Sequence, residues 1–290
     1  MDKKKTFSSQ AVKEFLNKTG FPFEWKMERV LREKKWEVVD ISFLDLEEGK
    51  KREIDIVAAK TINDVDVCLI IECKYSERNS WIFFSPSDDI SKPYSYFITS
   101  TSTYPDSLKK MITSHLRIFR STEPTAINFI VYDNYTAKQA NGLDIKDALY
   151  KVVKALIYCY SYSSDPSKRQ IYFPLILFSG PIFSASYSNR LRVRKSDYIQ
   201  FPFEFESDAY IEKKERPGNS YLTVHLGYDS YQEERKIREI EHIQKTYTYL
   251  YNEYLIEFVS GNKFNAYLDQ LESEIGKIDI NLWPVKSKKE

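Results

Sequence analysis

The chain predicts an α/β fold built on a mixed sheet. Segments with helical and strand periodicity follow one another over the first 180 residues in the order α-β-β-β-α-β-α-β. Three strands precede the second helix, so parallel crossovers cannot join them all, and some pairs must be antiparallel. Only 8 of the 290 residues are glycine, below the roughly 7% average, which argues against glycine-rich architectures.

Taken in order, residues 9–19 predict a short polar helix. From Pro22 to Lys35 the apolar positions Phe23, Met27, Val30 and Leu31 recur at helical spacing, and Pro22 suits a first turn. Trp36 to Leu44 predicts a strand ended by the turn-forming Asp45 to Gly49, and Arg52 to Ala59 a second. Asp66 to Tyr75 is a third, its apolar run suited to a sheet interior. Residues 76–105, rich in Ser, Pro and aromatics, predict a loop, and Asp106 to Phe119 a helix. A strand is expected over Thr125 to Asp133, a helix over Asp144 to Ser161, and a strand over Ile171 to Ser179. Further strands are expected at Ile182–Tyr187, Arg190–Val193 and Tyr221–Leu226, then helices over Tyr231–Val259 and Phe264–Ile278. The division expected is residues 1–180 as one domain and 181–290 as an extension of strands then helices, which can pack on that same domain.

With 43 Lys+Arg against 42 Asp+Glu the net charge is +1. That excludes strong attraction of the whole molecule to nucleic acid and leaves room for a local basic groove. No apolar stretch approaches the ~20 residues of a membrane span. Cys68, Cys73 and Cys159 have no CxxC spacing and an odd count, which predicts reduced thiols, a cytoplasmic location and no zinc site. His115, His225 and His242 lack ligand spacing. Phosphate-binding glycine loops and serine-hydrolase or zincin motifs are absent from the sequence.

The informative segment is Asp55 followed, after sixteen intervening residues, by Glu72-Cys73-Lys74. Alternation on a strand points Glu72 and Lys74 to one face, and a hairpin partner brings Asp55 beside them. Carboxylates at the end of an apolar run are costly to bury unless they neutralise something. Mg²⁺, with Mn²⁺ as substitute, answers that need, since it takes one or two carboxylates plus water and substrate phosphate. Lys74 can then orient a water or offset charge on a phosphate. A lone Glu-x-Lys triplet is commonplace on strands. The upstream Asp, the apolar flank, the acidic helix and the element order together make this one informative.

Asp55…Glu72-Cys73-Lys74 on consecutive strands, after a helix bearing an acid, resembles the PD-(D/E)xK (restriction-endonuclease-like) nuclease superfamily. Thr19 to Glu24 and Arg52 to Asp55 resemble segments of uncharacterised bacterial members. The resemblance covers roughly residues 20–135, with Ile54 standing where the motif name has Pro. It implies an αβββαβ core, with a mixed central sheet flanked by helices, over residues 22–133. It also implies Mg²⁺ held by Asp55, Glu72 and the Cys73 carbonyl, with Lys74 catalytic. Of the helix acids, Glu24 borders the apolar stripe whereas Glu28 lies farther toward solvent, so Glu24 is taken as the fourth catalytic residue. The activity implied is DNA endonuclease, in restriction, defence or repair. A catalytically inactive binding or interaction protein on the same fold, and an RNA nuclease, stay open, as does a homodimer.

Arg190, Arg192 and Arg194 alternate with Leu191 and Val193, a ridge suited to nucleic-acid phosphates or simply a solvated strand face. Ser80-Trp81-Ile82-Phe83-Phe84 can stack on bases, with core packing the favoured reading. Lys109, Lys110, Arg117 and Arg120 on the expected second helix are further candidates for backbone contact.

Overall fold

The structure, a computed structural model, describes residues 8–85, 95–100, 125–163, 170–187, 189–205, 222–227 and 253–277. Ser8 opens the first helix, α1 (Ser9–Asn17), with its Oγ accepting the Ala11 amide at 3.1 Å. Helix α2 (Phe21–Glu33) has Pro22 in its first turn and buries Met27 and Leu31, as the apolar spacing predicts.

The expected strand at 36–44 divides into β1 (Glu37–Val39) and β2 (Ser42–Asp45). The next divides into β3 (Lys50–Glu53) and β4 (Ile56–Ile62). Strands β2 and β3 pair only with each other as a hairpin, while β1 joins β4 in the main sheet. The break between hairpin and sheet falls at Ile54-Asp55. Strand β5 (Val65–Lys74) follows, then β6 (Asn79–Ser85) and β7 (Ser95–Ser100), so part of the expected 76–105 loop is strand. The helix expected at 106–119, with Lys109, Lys110 and Arg117, lies outside the described residues, as does Arg120.

Strands β8 (Asn128–Asp133) and β9 (Lys138–Ala140) lead into helix α3 (Leu143–Ser163) and strand β10 (Gln170–Phe178). Then come β11 (Ile182–Tyr187), β12 (Leu191–Ser196), β13 (Tyr198–Glu204) and β14 (Leu222–Gly227). The chain continues with β15 (Glu253–Ser260) and helix α4 (Phe264–Gly276). Residues 253–260 are strand where a helix was expected. Their apolar run fits either element by periodicity, and insertion beside β10, buried on both faces, decides it.

The main sheet has the order β1-β4-β5-β10-β15-β13. Its β1, β4 and β5 are antiparallel neighbours, whereas β10 runs parallel to both β5 and β15. Strand β8, expected as the fourth strand of the core, instead belongs to a second sheet, β12-β11-β6-β8-β9. Strands β7 and β14 form a separate pair.

Alternation along β5 sorts the core. Val65, Val67, Leu69, Ile71 and Cys73 face Met27 and Leu31 of α2 and Phe264, Leu268 and Leu271 of α4. Ile70 faces the other way, toward α3 and the second sheet. There Trp81 and Phe83 are buried, and Trp81 stacks on Phe178 with centroids 3.7 Å apart and planes 2° off parallel. Such a pair contributes about 0.5–1.5 kcal/mol beyond its buried area, and Trp81 and Phe83 belong to the core, with Phe84 half-buried. Among the described residues no helix is long and apolar enough to cross a membrane.

Candidate active site

Strand register sets the site. The β4–β5 ladder ends with Ile56 opposite Ile71, so one step further Asp55 stands opposite Glu72. Asp55 has left the ladder, and its Oδ2 accepts the Cys73 amide at 2.7 Å, fixing the carboxylate against β5. Glu72, 1% exposed, shares a face with Lys74, whose Nζ lies 3.0 Å from Glu72 Oε1.

By the same parity, Glu72 and Lys74 face the α3 side of the sheet. There Lys151 of α3 inserts its ammonium between the two acids, 2.8 Å from Asp55 Oδ1 and 2.7 Å from Glu72 Oε2. Both contacts are charge-assisted, and the one to Asp55 is a well-aligned hydrogen bond.

Glu24 approaches from the start of α2. Its Oε1 lies where a Cβ on Gly20 would come within 3.2 Å, and Tyr75, just past β5, borders the same space. Helix α2 sits close to the sheet because residue 261 is glycine: a Cβ there would come within 2.4 Å of Phe23 Cε2. Burial, then the neighbouring Asp55 charge, raises the Glu24 carboxyl above its ordinary range, with Lys151 and Lys74 opposing. Burial and Asp55 push Glu72 up to about 7 against the pull of the same two ammonium groups. Glu28, by contrast, pairs with Arg32 at 3.4 Å on the outer face of α2.

The structure therefore brings Glu24, Asp55, Glu72 and Lys74 to one end of β5, as the sequence predicts. It adds Lys151, which sequence reasoning missed. A signal was present: Lys151 lies three residues after buried Ala148 and four before buried Ala155, at the border of the buried stripe of α3. Three residues further, Lys154 reaches buried Asp45 of the hairpin at 3.0 and 2.9 Å. Burial alone would raise the Asp45 carboxyl, but Lys154 outweighs it and holds the group below its usual range.

The arginine ridge is in another place. Arg190 precedes β12 and is not part of it; Arg192 and Arg194 share one exposed face of this strand, at the edge of the second sheet.

Three carboxylates against two ammonium groups leave a local surplus of negative charge, and the donors are hard oxygens suited to Mg²⁺. Among the described residues no three of His, Cys, Asp and Glu form a ready coordination group. Asp55 and Glu72 would contribute two carboxylate ligands and Cys73 its backbone carbonyl, with water and substrate completing the set. The Cys73 thiol is buried and raised well above its ordinary value, chiefly by burial, and takes no part as a thiolate. Comparison with protein-family models, curated proteins and solved structures returns no match.

Proposed function

We propose that the chain is a Mg²⁺-dependent nuclease of PD-(D/E)xK type that hydrolyses phosphodiester bonds in DNA. The observation that carries the reading is the facing pair Asp55 and Glu72 with Lys74 3.0 Å from Glu72 Oε1. The fold adds support: α2, β1, β4, β5, α3 and β10 follow in the order αβββαβ, with three antiparallel strands and a fourth parallel to the third. This core draws its second helix from residues 143–163 and its last strand from 170–178, beyond the stretch from which the resemblance was drawn. Strands β13 and β15 extend the same sheet, so residues past 180 complete the main sheet.

Bound at Asp55 and Glu72, Mg²⁺ would act as a Lewis acid on the scissile phosphate. The chain's own groups do the rest. Lys74 orients the attacking water and offsets charge on the phosphate as one P–O bond forms to water and the P–O bond to the sugar breaks. Glu24, whose carboxyl is raised above its ordinary range by burial and then by Asp55, can relay a proton to or from that water. Arg192 and Arg194 contact the nucleic-acid backbone. Cys68, Cys73 and Cys159 form no disulfide among the described residues, which goes with a cytosolic location.

The Lys151 ammonium between the two acids favours one second reading: a non-catalytic nucleic-acid-binding protein in which this ion pair permanently closes the site. Incubation with plasmid, linear, branched and single-stranded DNA and with RNA, in Mg²⁺ or Mn²⁺, decides between them. Divalent-dependent cleavage lost in Asp55→Asn supports the nuclease, and cleavage of RNA alone moves the substrate. Binding without cleavage by the wild-type protein leaves the second reading.

A further inference from the structure

We infer that Lys151 is a resident counter-ion, holding the cation position between Asp55 and Glu72 until a divalent metal ion displaces it. This inference rests on the metal site proposed above. Two carboxylates directly across a strand pair repel each other, and in the described structure the positive charge between them is the Lys151 ammonium. Lys151 and Lys74 bring two positive charges to the three carboxylates of the site, where Glu72 is 1% exposed. In place of the Lys151 ammonium, a dication brings twice its charge to the same oxygens.

The ammonium lies 2.8 Å from Asp55 Oδ1 and 2.7 Å from Glu72 Oε2, so one head group is shared between the two acids. Lysine carries its charge on a flexible four-carbon stem, and its ammonium hydrates strongly. The Lys151 side chain is 24% exposed, so the head can swing toward solvent while α3 stays in place.

Lys154 on the same helix supplies the contrast. Its side chain is 8% exposed and its ammonium lies 3.0 and 2.9 Å from the two oxygens of Asp45, with Glu47 as a further partner. That pair ties α3 to the β2–β3 hairpin and is built to stay. One helix thus carries a fixed ammonium and, nearly one turn earlier, a displaceable one.

The test is Mn²⁺ titration calorimetry on the full chain, comparing wild type, Lys151→Met and Lys151→Gln after circular dichroism shows each folded. Both variants should bind Mn²⁺ more tightly, on the order of 10–100-fold, the scale on which groups neighbouring the ligands tune metal affinity. Unchanged or weaker binding overturns the inference, as does absence of Mn²⁺ binding in wild type and variants alike. Should neither variant fold, a crystal structure of wild type soaked in Mn²⁺ decides. Lys151 Nζ withdrawn from a metal at Asp55 and Glu72 supports displacement, and Nζ still between them refutes it. Tighter Mn²⁺ binding in variants of a protein that cuts no nucleic acid sustains the counter-ion and defeats the nuclease. Cleavage with unaltered Mn²⁺ affinity does the reverse.

Discussion

Replacing Glu72 by Gln takes the charge off a carboxyl that is 1% exposed. Burial and Asp55 raise Glu72 from an ordinary 4.5 to about 7, with Lys151 and Lys74 already subtracted from that rise. The folded protein therefore holds the proton more tightly than the unfolded chain. The Glu72 contribution to stability is fully present below about pH 4.5 and is lost as the pH rises to about 7, after which the loss levels off. At about 1.4 kcal/mol per pH unit, that interval corresponds to about 3 kcal/mol, as an order of magnitude. Urea unfolding of both proteins in a chelator, at steps from about pH 4.5 to about pH 8, isolates Glu72 in the difference curve. The Gln variant should gain about 3 kcal/mol on wild type across the series, because the neutral amide does not incur the charging cost. A flat difference would mean that Glu72 titrates like an exposed carboxyl. A slope of opposite sign would mean that the two lysines overcompensate its burial. Either result refutes the electrostatic account of the site.

Lys74→Met should lower cleavage by about 10²–10⁴-fold with Mn²⁺ binding retained, since Lys74 supplies charge without ligation; a folded, DNA-binding variant cutting at the wild-type rate would remove Lys74 from the chemistry. Gly261→Ala should cost about 1–3 kcal/mol in urea unfolding and reduce cleavage, because the new Cβ would meet Phe23 Cε2 at 2.4 Å and push α2, with Glu24, off the sheet. An unchanged unfolding midpoint would mean that the helix is free to shift. Arg192→Glu combined with Arg194→Glu should weaken DNA binding in anisotropy titrations and flatten its salt dependence by about 0.9 in log–log slope per lost phosphate contact. A wild-type slope would leave this edge strand as an ordinary solvated face.

Much of the site is legible in the sequence because it depends on local rules. Two-residue alternation aligns Glu72 with Lys74, a hairpin brings Asp55 opposite, and helical angles separate Glu24 from Glu28. What depends on distant pairing is less legible. Strand β8 has the length and composition of a core strand, yet β10 takes the place beside β5, because a parallel neighbour is reached through α3 and not through a short turn. Residues 253–260 carry apolar side chains on both faces, and only insertion between β10 and β13 tells strand from helix. Lys151 escapes for the same reason: strand parity says that Glu72 faces a covering layer, but not which helix forms it.

The position of β10 also bears on how the site comes into being. Strand β5 gains its parallel neighbour only when residues 170–178 arrive, and β10 in turn is flanked on its far side by residues 253–260. These pairings span about a hundred and about eighty residues, separations that slow assembly of a sheet. On a ribosome the Asp55–Glu72 hairpin would emerge early, with one edge of β5 unpaired and Lys151 not yet synthesised. The acids would remain solvated and unclamped. Their final surroundings would come late, when α3 closes over β5 and β15 joins the sheet, so the order of synthesis itself delays completion of this cluster.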